Sequence, residues 1–171
     1  MLVYPDPVTS DVTGLVIEQV GYDHPDIVAL TAEVQAYYEQ LYGGPDTTPV
    51  DDAQFSPPHG AFFVGYDEAR PVAMGGWRWY LEPLGIPVRR PAEIKWMYVV
   101  PDRRGRGLAR LLLGHLESSA RAAGADAMVL ETGRAQPDAV GLYRATGYAD
   151  IPHFGHYACA PDAVHLGKLL P

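Results

Sequence analysis

Between Tyr98 and Ala109 the chain reads Tyr-Val-Val-Pro-Asp-Arg-Arg-Gly-Arg-Gly-Leu-Ala: an apolar strand, a corner of arginines and glycines, then the start of an apolar helix. A strand–turn–helix of this kind aims unpaired backbone N–H groups and the positive end of a helix dipole into one small volume. Gly105 and Gly107 let the backbone approach a ligand without a Cβ in the way. Arg103, Arg104 and Arg106 place three of the 13 basic residues within four positions. Cations at a helix N-terminus are mildly unfavourable unless an anion joins them. The chemistry implied is a cradle for a pyrophosphate. A Walker loop needs Gly-Lys-Ser/Thr, whereas Gly107 is followed by Leu108-Ala109. A dinucleotide fingerprint needs a third glycine and an acidic residue ~20 positions on, and the glycine spacing differs.

Other residue types invite weighing. Trp77 and Trp79 share one strand face and offer a wall for a cation, or simply core. His153, His156 and Cys159 have ligand-like spacing but lack a fourth partner, so no metal site is assigned. Asp51 and Asp52 either line a binding-site mouth or are solvated.

The elements that position these residues can be read from periodicity. Alternation at 15–20 gives a strand, and apolar residues from Ile27 to Leu41, spaced by threes and fours, give a helix stopped at Gly43. Residues 46–60, with three prolines, hold a short helix or act as a lid. Residues 61–66 and 71–81 form a hairpin about 67–70. A strand at 92–100, a helix at 107–123, a strand at 127–132, a short helix at 137–146 and a strand pair within 148–170 follow. This order makes one domain over 1–171, a mixed α/β fold with helices packed on a sheet.

Composition bounds the function. The 171 residues are 47% hydrophobic, and 21 acidic against 13 basic residues leave a net charge of −8. An acidic total argues against nucleic acid or an anionic membrane surface as partner and is compatible with cationic small molecules. A single cysteine, Cys159, suits a reducing compartment. Met1 to Pro7 shows no secretory pattern and no run is long enough to span a bilayer, so a cytoplasmic location is expected.

The pattern Arg104-x-x-Gly107-x-Ala109, preceded by Val99-x-Pro101, resembles motif A of the GNAT superfamily of N-acetyltransferases. Ala139-Val-Gly-Leu-Tyr143-Arg-Ala-Thr-Gly147-Tyr148 is similar to its motif B, with Gln136 where Asn is common and Tyr148 where Phe is. Together they cover about residues 60–148, the expected acyl-CoA-binding core. The resemblance implies a mostly antiparallel sheet with one splayed parallel pair, here 92–100 and 126–132. It implies that acetyl-CoA is the cosubstrate. Backbone groups of Met97, Tyr98 and Val99 would hold the pantetheine. Arg104, Gly105, Arg106, Gly107, Leu108, Ala109 and Gln136 would surround the rest of the cofactor.

It also implies direct transfer of an acetyl group to a primary amine. An alkylammonium must lose a proton before attack, at roughly 4 kcal/mol near neutrality, and the departing thiolate gains one. Tyr143 is the expected acid. Glu93, sharing a face with Lys95, Met97 and Val99 by alternation, is the expected base, and Glu131 is its rival. The acceptor leans to a small cationic amine, with protein amines as the second class, and homodimers are common in related proteins. A non-catalytic acyl-CoA sensor is the other reading.

Overall fold

The computed structural model describes residues 14–171, so the reading of Met1 to Pro7, and the first part of the domain assigned to 1–171, lie outside the described residues. Seven strands form one sheet in the order β1-β2-β3-β4-β5-β7-β6. They are β1 (Val16–Val20), β2 (Gly60–Asp67), β3 (Arg70–Trp79), β4 (Pro91–Val99), β5 (Ala127–Gly133), β6 (Ala149–Asp150) and β7 (Ala163–Leu169). The helices are α1 (Pro25–Tyr42), α2 (Leu108–Ala122) and α3 (Pro137–Ala145). All neighbouring strands are antiparallel except β4 and β5.

Local signals set the element ends. Pro25 opens α1, where His24 Nδ1 accepts the Asp26 N–H at 3.2 Å, and Gly43 closes it in the left-handed region at φ 79°. The β2–β3 hairpin turns on Glu68 and Ala69, both at positive φ. Within 46–60 there is a short 3-10 turn, Asp52–Phe55, capped by the Asp51 carboxylate. Phe55 at 1% exposure stacks on Tyr22 at 5.1 Å and meets Phe62 edge-on, anchoring the segment in the core. Neither Asp51 nor Asp52 reaches a cavity mouth; capping explains Asp51.

One sheet face packs on α2. Trp77 Nε1 donates to Ser119 Oγ at 3.0 Å, and Leu116 lies under Gly75. The other face carries α1, where the Thr31 hydroxyl meets Met74 Sδ at 3.8 Å, whereas α3 lies on the α2 side, its Tyr143 meeting Met97 Sδ at 3.9 Å and packing on Tyr148, whose hydroxyl donates to Glu117 of α2 at 3.0 Å. Trp77 is therefore core. Trp79 lies edge-on to it at 5.1 Å and is covered by the Arg90 guanidinium, so the pair forms no wall for a ligand.

The parallel pair is short. Asp126 accepts the N–H groups of Arg89 and Arg90 at 2.7 and 3.0 Å, clamping the start of β5 to the start of β4. Pairing runs from Pro91↔Ala127 to Glu93↔Val129 and then stops. Beyond it β4 has an extra residue against β3: Gly76 pairs Lys95 but Met74 pairs Tyr98. Trp96, at φ 58°, sits in this bulge. The bulge corrects the expectation from simple alternation. Tyr98, not Val99, joins Glu93 and Lys95 on the α1 face, because an added residue shifts the two-residue phase.

If residues 46–60 belong to the core, Phe55→Ala costs about 3–5 kcal/mol in urea unfolding; a loss under about 1 kcal/mol marks a detached lid.

Candidate active site

The site begins at the corner after β4. A 3-10 turn, Pro101–Arg103, bonds Arg103 N–H to Val100 O and Arg104 N–H to Pro101 O. Gly105 and Gly107 then take φ values of 76° and 81°, with open space where each Cβ would stand. Gly107 caps α2 without a side-chain bond. Among the described residues, the amides of 105–110 have no intramolecular acceptor. Consecutive unpaired donors around a glycine corner fit an anionic diphosphate.

The arginine side chains divide their tasks. Arg103 lines the neighbouring cleft but is held by carboxylates, bonding Asp67 at 2.9 Å and Asp102 at 3.0 Å. Arg106 turns to the same side, 4.0 Å from Asp67. Arg104 donates from Nε to Val99 O at 2.9 Å and lies over the rings of Tyr37 and Tyr98 at 5.5 and 5.6 Å. The corner thus presents main chain to a ligand, with Arg104 bracing it. Arg110, one turn into α2, lines the same cleft and was not singled out from sequence; an arginine in a helix first turn was its available signal.

That cleft, about 460 Å³, is lined by Met97, Tyr98, Val99, Arg104, Gly105, Gly107, Leu108, Ala109 and Gln136. Arg106 lies outside it, beside Leu15 and Asp67. The cleft follows the β4 edge that faces β5, whose backbone from Ile94 onward has no strand partner on that side. An extended chain with amides can add there as a strand would. The residues present therefore fit a CoA arm as well as its phosphates.

A second cavity of about 480 Å³ opens between the diverging halves of β4 and β5. The two spaces share Tyr38, Met97, Gln136, Ala139 and Tyr143. Tyr143, on α3, is 5% exposed and packs edge-on to Tyr148 at 5.6 Å. Burial pushes its phenol well above the ordinary value, so it stays protonated. Tyr38 of α1, read from sequence only as part of an apolar stripe, joins it. Burial, then the neighbouring Tyr143, raises its phenol too, and among the described residues its hydroxyl has no partner. Gln136 is engaged, donating to the Tyr42 hydroxyl at 2.9 Å.

The two carboxylates differ sharply. Glu93 is 5% exposed and accepts from Arg78 Nε at 2.9 Å, with Lys95 Nζ at 3.9 Å. It faces a smaller space of about 270 Å³, not the cavity that Tyr143 lines. Glu131 of β5 lines both. Among the described residues nothing bonds its carboxyl, and burial raises its pKa to about 7, with Lys95 opposing and Asp46 and Glu93 adding.

A roof closes over this cavity. Gln35 bonds both backbone groups of Asp46, and the Tyr157 hydroxyl donates to Asp46 Oδ1 at 2.9 Å while accepting from Thr47 N–H at 3.0 Å. Sequence gave no sign of this latch between distant segments. His153 lies tilted against His165 at 4.4 Å, His156 meets Tyr157 edge-on, and Cys159 is exposed. Among the described residues no three His, Cys, Asp or Glu side chains converge as metal ligands, and no helix is long and apolar enough to cross a membrane.

Comparison with known proteins agrees with this geometry. The Acetyltransferase (GNAT) family model matches residues 28–148. An IAA acetyltransferase of Azospirillum brasilense is 32% identical over 145 residues, 84% of this chain and 90% of that protein. The structure of a candidate acyl-CoA N-acyltransferase of Klebsiella pneumoniae superposes with a TM-score of 0.75 at 27% identity, covering 92% of this chain and 98% of that one. The NatC complex bound to Gag peptide and CoA shares the fold, with a TM-score of 0.65 at 16% identity over 92% of this chain and 99% of that one. The chain belongs to the GNAT family of acetyltransferases and is an N-acetyltransferase drawing on a CoA thioester.

Isothermal titration with CoA tests the corner. Gly107→Glu, which sets an anion and a strained Cβ against the phosphates, weakens binding at least tenfold. Arg106→Ala, outside the cleft, changes it less than threefold. Equal effects of the two, with melting temperatures matched, remove the main-chain cradle.

Proposed function

We propose that the protein carries an acetyl group from acetyl-CoA directly to the nitrogen of a primary amine held between β4 and β5, with Glu131 as base and Tyr143 as acid. The observation that carries this is the junction of two cavities at Met97 and Tyr143, with an unpartnered carboxyl facing one of them. The name of the Azospirillum relative supports acetyl as the group moved.

Each chemical need has a group of suitable state. The ammonium must lose a proton, and a carboxyl near pKa 7 is half-ionised at neutral pH, close to the optimum for a general base. Glu93, bound by Arg78, is held in place and does not line the cavity that Tyr143 lines. At the other end, the buried Tyr143 hydroxyl keeps its proton for the departing sulfur; its one hydrogen bond among the described residues, to Met97 Sδ at 3.9 Å, is weak enough to exchange. Cys159 is exposed and lines neither cavity, which supports transfer without an enzyme-bound acyl group.

The pH profile follows from these states. kcat/KM rises with pH through about 7 as Glu131 ionises. In Glu131→Gln, measured by release of free thiol, the rate falls about 10²–10⁴-fold and the limb disappears. Retention of the limb assigns the base elsewhere. Glu93→Gln, by contrast, leaves the limb in place.

A second readout is stability. A carboxyl whose pKa is raised on folding stabilises the fold only while protonated, and that contribution is lost as pH rises through about 7. At pH 8, therefore, Glu131→Gln melts above the wild type, and a lower melting temperature contradicts the unpartnered carboxyl. Tyr143→Phe lowers kcat about 10–10²-fold with the KM for acetyl-CoA unchanged.

A further inference from the structure

We infer that the acceptor is a primary amine whose ammonium is its only charge, carried on an apolar or aromatic body, and that amines bearing a carboxylate beside the nitrogen are excluded. This rests on the transferase reading above and names the acceptor class of the same cavity.

The argument is a count of charges and of who already holds them. Lys95 is the one cation among the described residues lining the cavity. Its side chain is 8% exposed and lies 3.9 Å from Glu93 Oε1. Its Nζ donates to Thr48 Oγ1 at 3.5 Å, and that hydroxyl in turn donates to Asp46 Oδ1 at 2.7 Å. Behind it, Arg78 is bonded to Glu93 Oε2 at 2.9 Å and to Gln54 Oε1 at 2.6 Å. Arg78, Glu93, Lys95 and Asp46 thus form an alternating row of two cations and two anions that sums to zero. The charge of each cation is thus already offset by a carboxylate of the row, which brings no net positive charge to a substrate anion.

Asp46 is engaged through Oδ1, which accepts from Thr48 N–H, Thr48 Oγ1 and the Tyr157 hydroxyl. Burial acts to raise its pKa, but Lys95 and these bonds more than offset it, so it stays ionised. Three of the amides at the roof are also taken. Gly43 N–H goes to Glu39 O, Asp46 N–H to Gln35 Oε1 and Thr47 N–H to the Tyr157 hydroxyl.

What remains is Glu131, the odd carboxyl, with Asp162 exposed at the rim adding the same sign. A substrate ammonium gives Glu131 its missing partner. A substrate carboxylate meets no cation whose charge is not already offset by a carboxylate, loses its water, and faces Asp46 and Glu131. Burying a charge unpaired is costly, and built-in repulsion of this kind is how one ligand is rejected in favour of another. The rest of the wall, including Ile94, Leu130, Ala160, Pro161 and the Tyr42 ring, offers apolar surface for an uncharged body.

The test uses the full chain, acetyl-CoA and matched pairs differing only by the carboxylate: 2-phenylethylamine with L-phenylalanine, and 3-methylbutylamine with L-leucine. In at least one pair the amine is expected to exceed the amino acid in kcat/KM, read by free thiol, by 100-fold or more. Calorimetry on the CoA-saturated protein is expected to show the same amine binding and its amino acid not. Equal use of both members, or preference for the amino acid, overturns the inference while leaving the transferase intact. If none of the four binds or reacts while other amines release thiol, the class is again wrong and the transferase stands. Absence of thiol release with every amine tested brings down both.

Discussion

The structure turns on the point where β4 and β5 stop pairing. Up to Glu93 and Val129 they form a parallel ladder; beyond it the two strands separate inside the molecule, leaving backbone donors and acceptors of β4 without strand partners. Unsatisfied backbone groups cost on the order of 1–3 kcal/mol each when buried, so such a gap persists only where the surroundings enforce it. Two features do so here. Asp126 fixes the start of the pair, and the Trp96 bulge gives β4 an added twist away from its neighbour. Arg104 partly relieves the exposed edge by bonding Val99 O. The gap is the site. In the proposed reading its outer part receives an extended CoA arm; its inner part is the larger cavity, and Tyr143 lines both.

Much of this was legible in the sequence because its causes are local. The corner at 103–109 is a statement about which residues tolerate positive φ and which amides a helix start leaves unpaired. Gly105 and Gly107 occupy those very conformations. The three helices and the order of strands likewise follow from runs of apolar residues and their stops. The face assignment along β4 failed for an equally physical reason. Nothing in Ala92-Glu-Ile-Lys-Trp-Met-Tyr announces a bulge at Trp96, since a non-glycine residue at positive φ is set by tertiary packing.

What stayed hidden was long-range. Tyr38 has the spacing of a core residue and the position of a site residue, because α1 crosses the mouth of the gap. The contact of Asp46 with Tyr157 joins residues 111 apart. Glu93 and Glu131 look equivalent as strand carboxylates, and only the fold assigns Arg78 to one and nothing to the other. Side-chain partnership, unlike secondary structure, has no short-range code.

That division of partners shows how one cavity can be stable and reactive at once. Four charges, the buried Glu93 and Lys95 and the half-buried Arg78 and Asp46, offset one another in alternation, and such a row holds its geometry because removing any member strands another. Rigidity is bought there. Glu131 stands beside the row and outside it, desolvated by the same walls and held near neutrality in pKa. Had Lys95 paired with Glu131 instead, the carboxyl would be ionised, satisfied and a poor base. In the proposed mechanism the row matters by offsetting its cations with its own carboxylates, which leaves Glu131 available for a proton and for the amine that brings it.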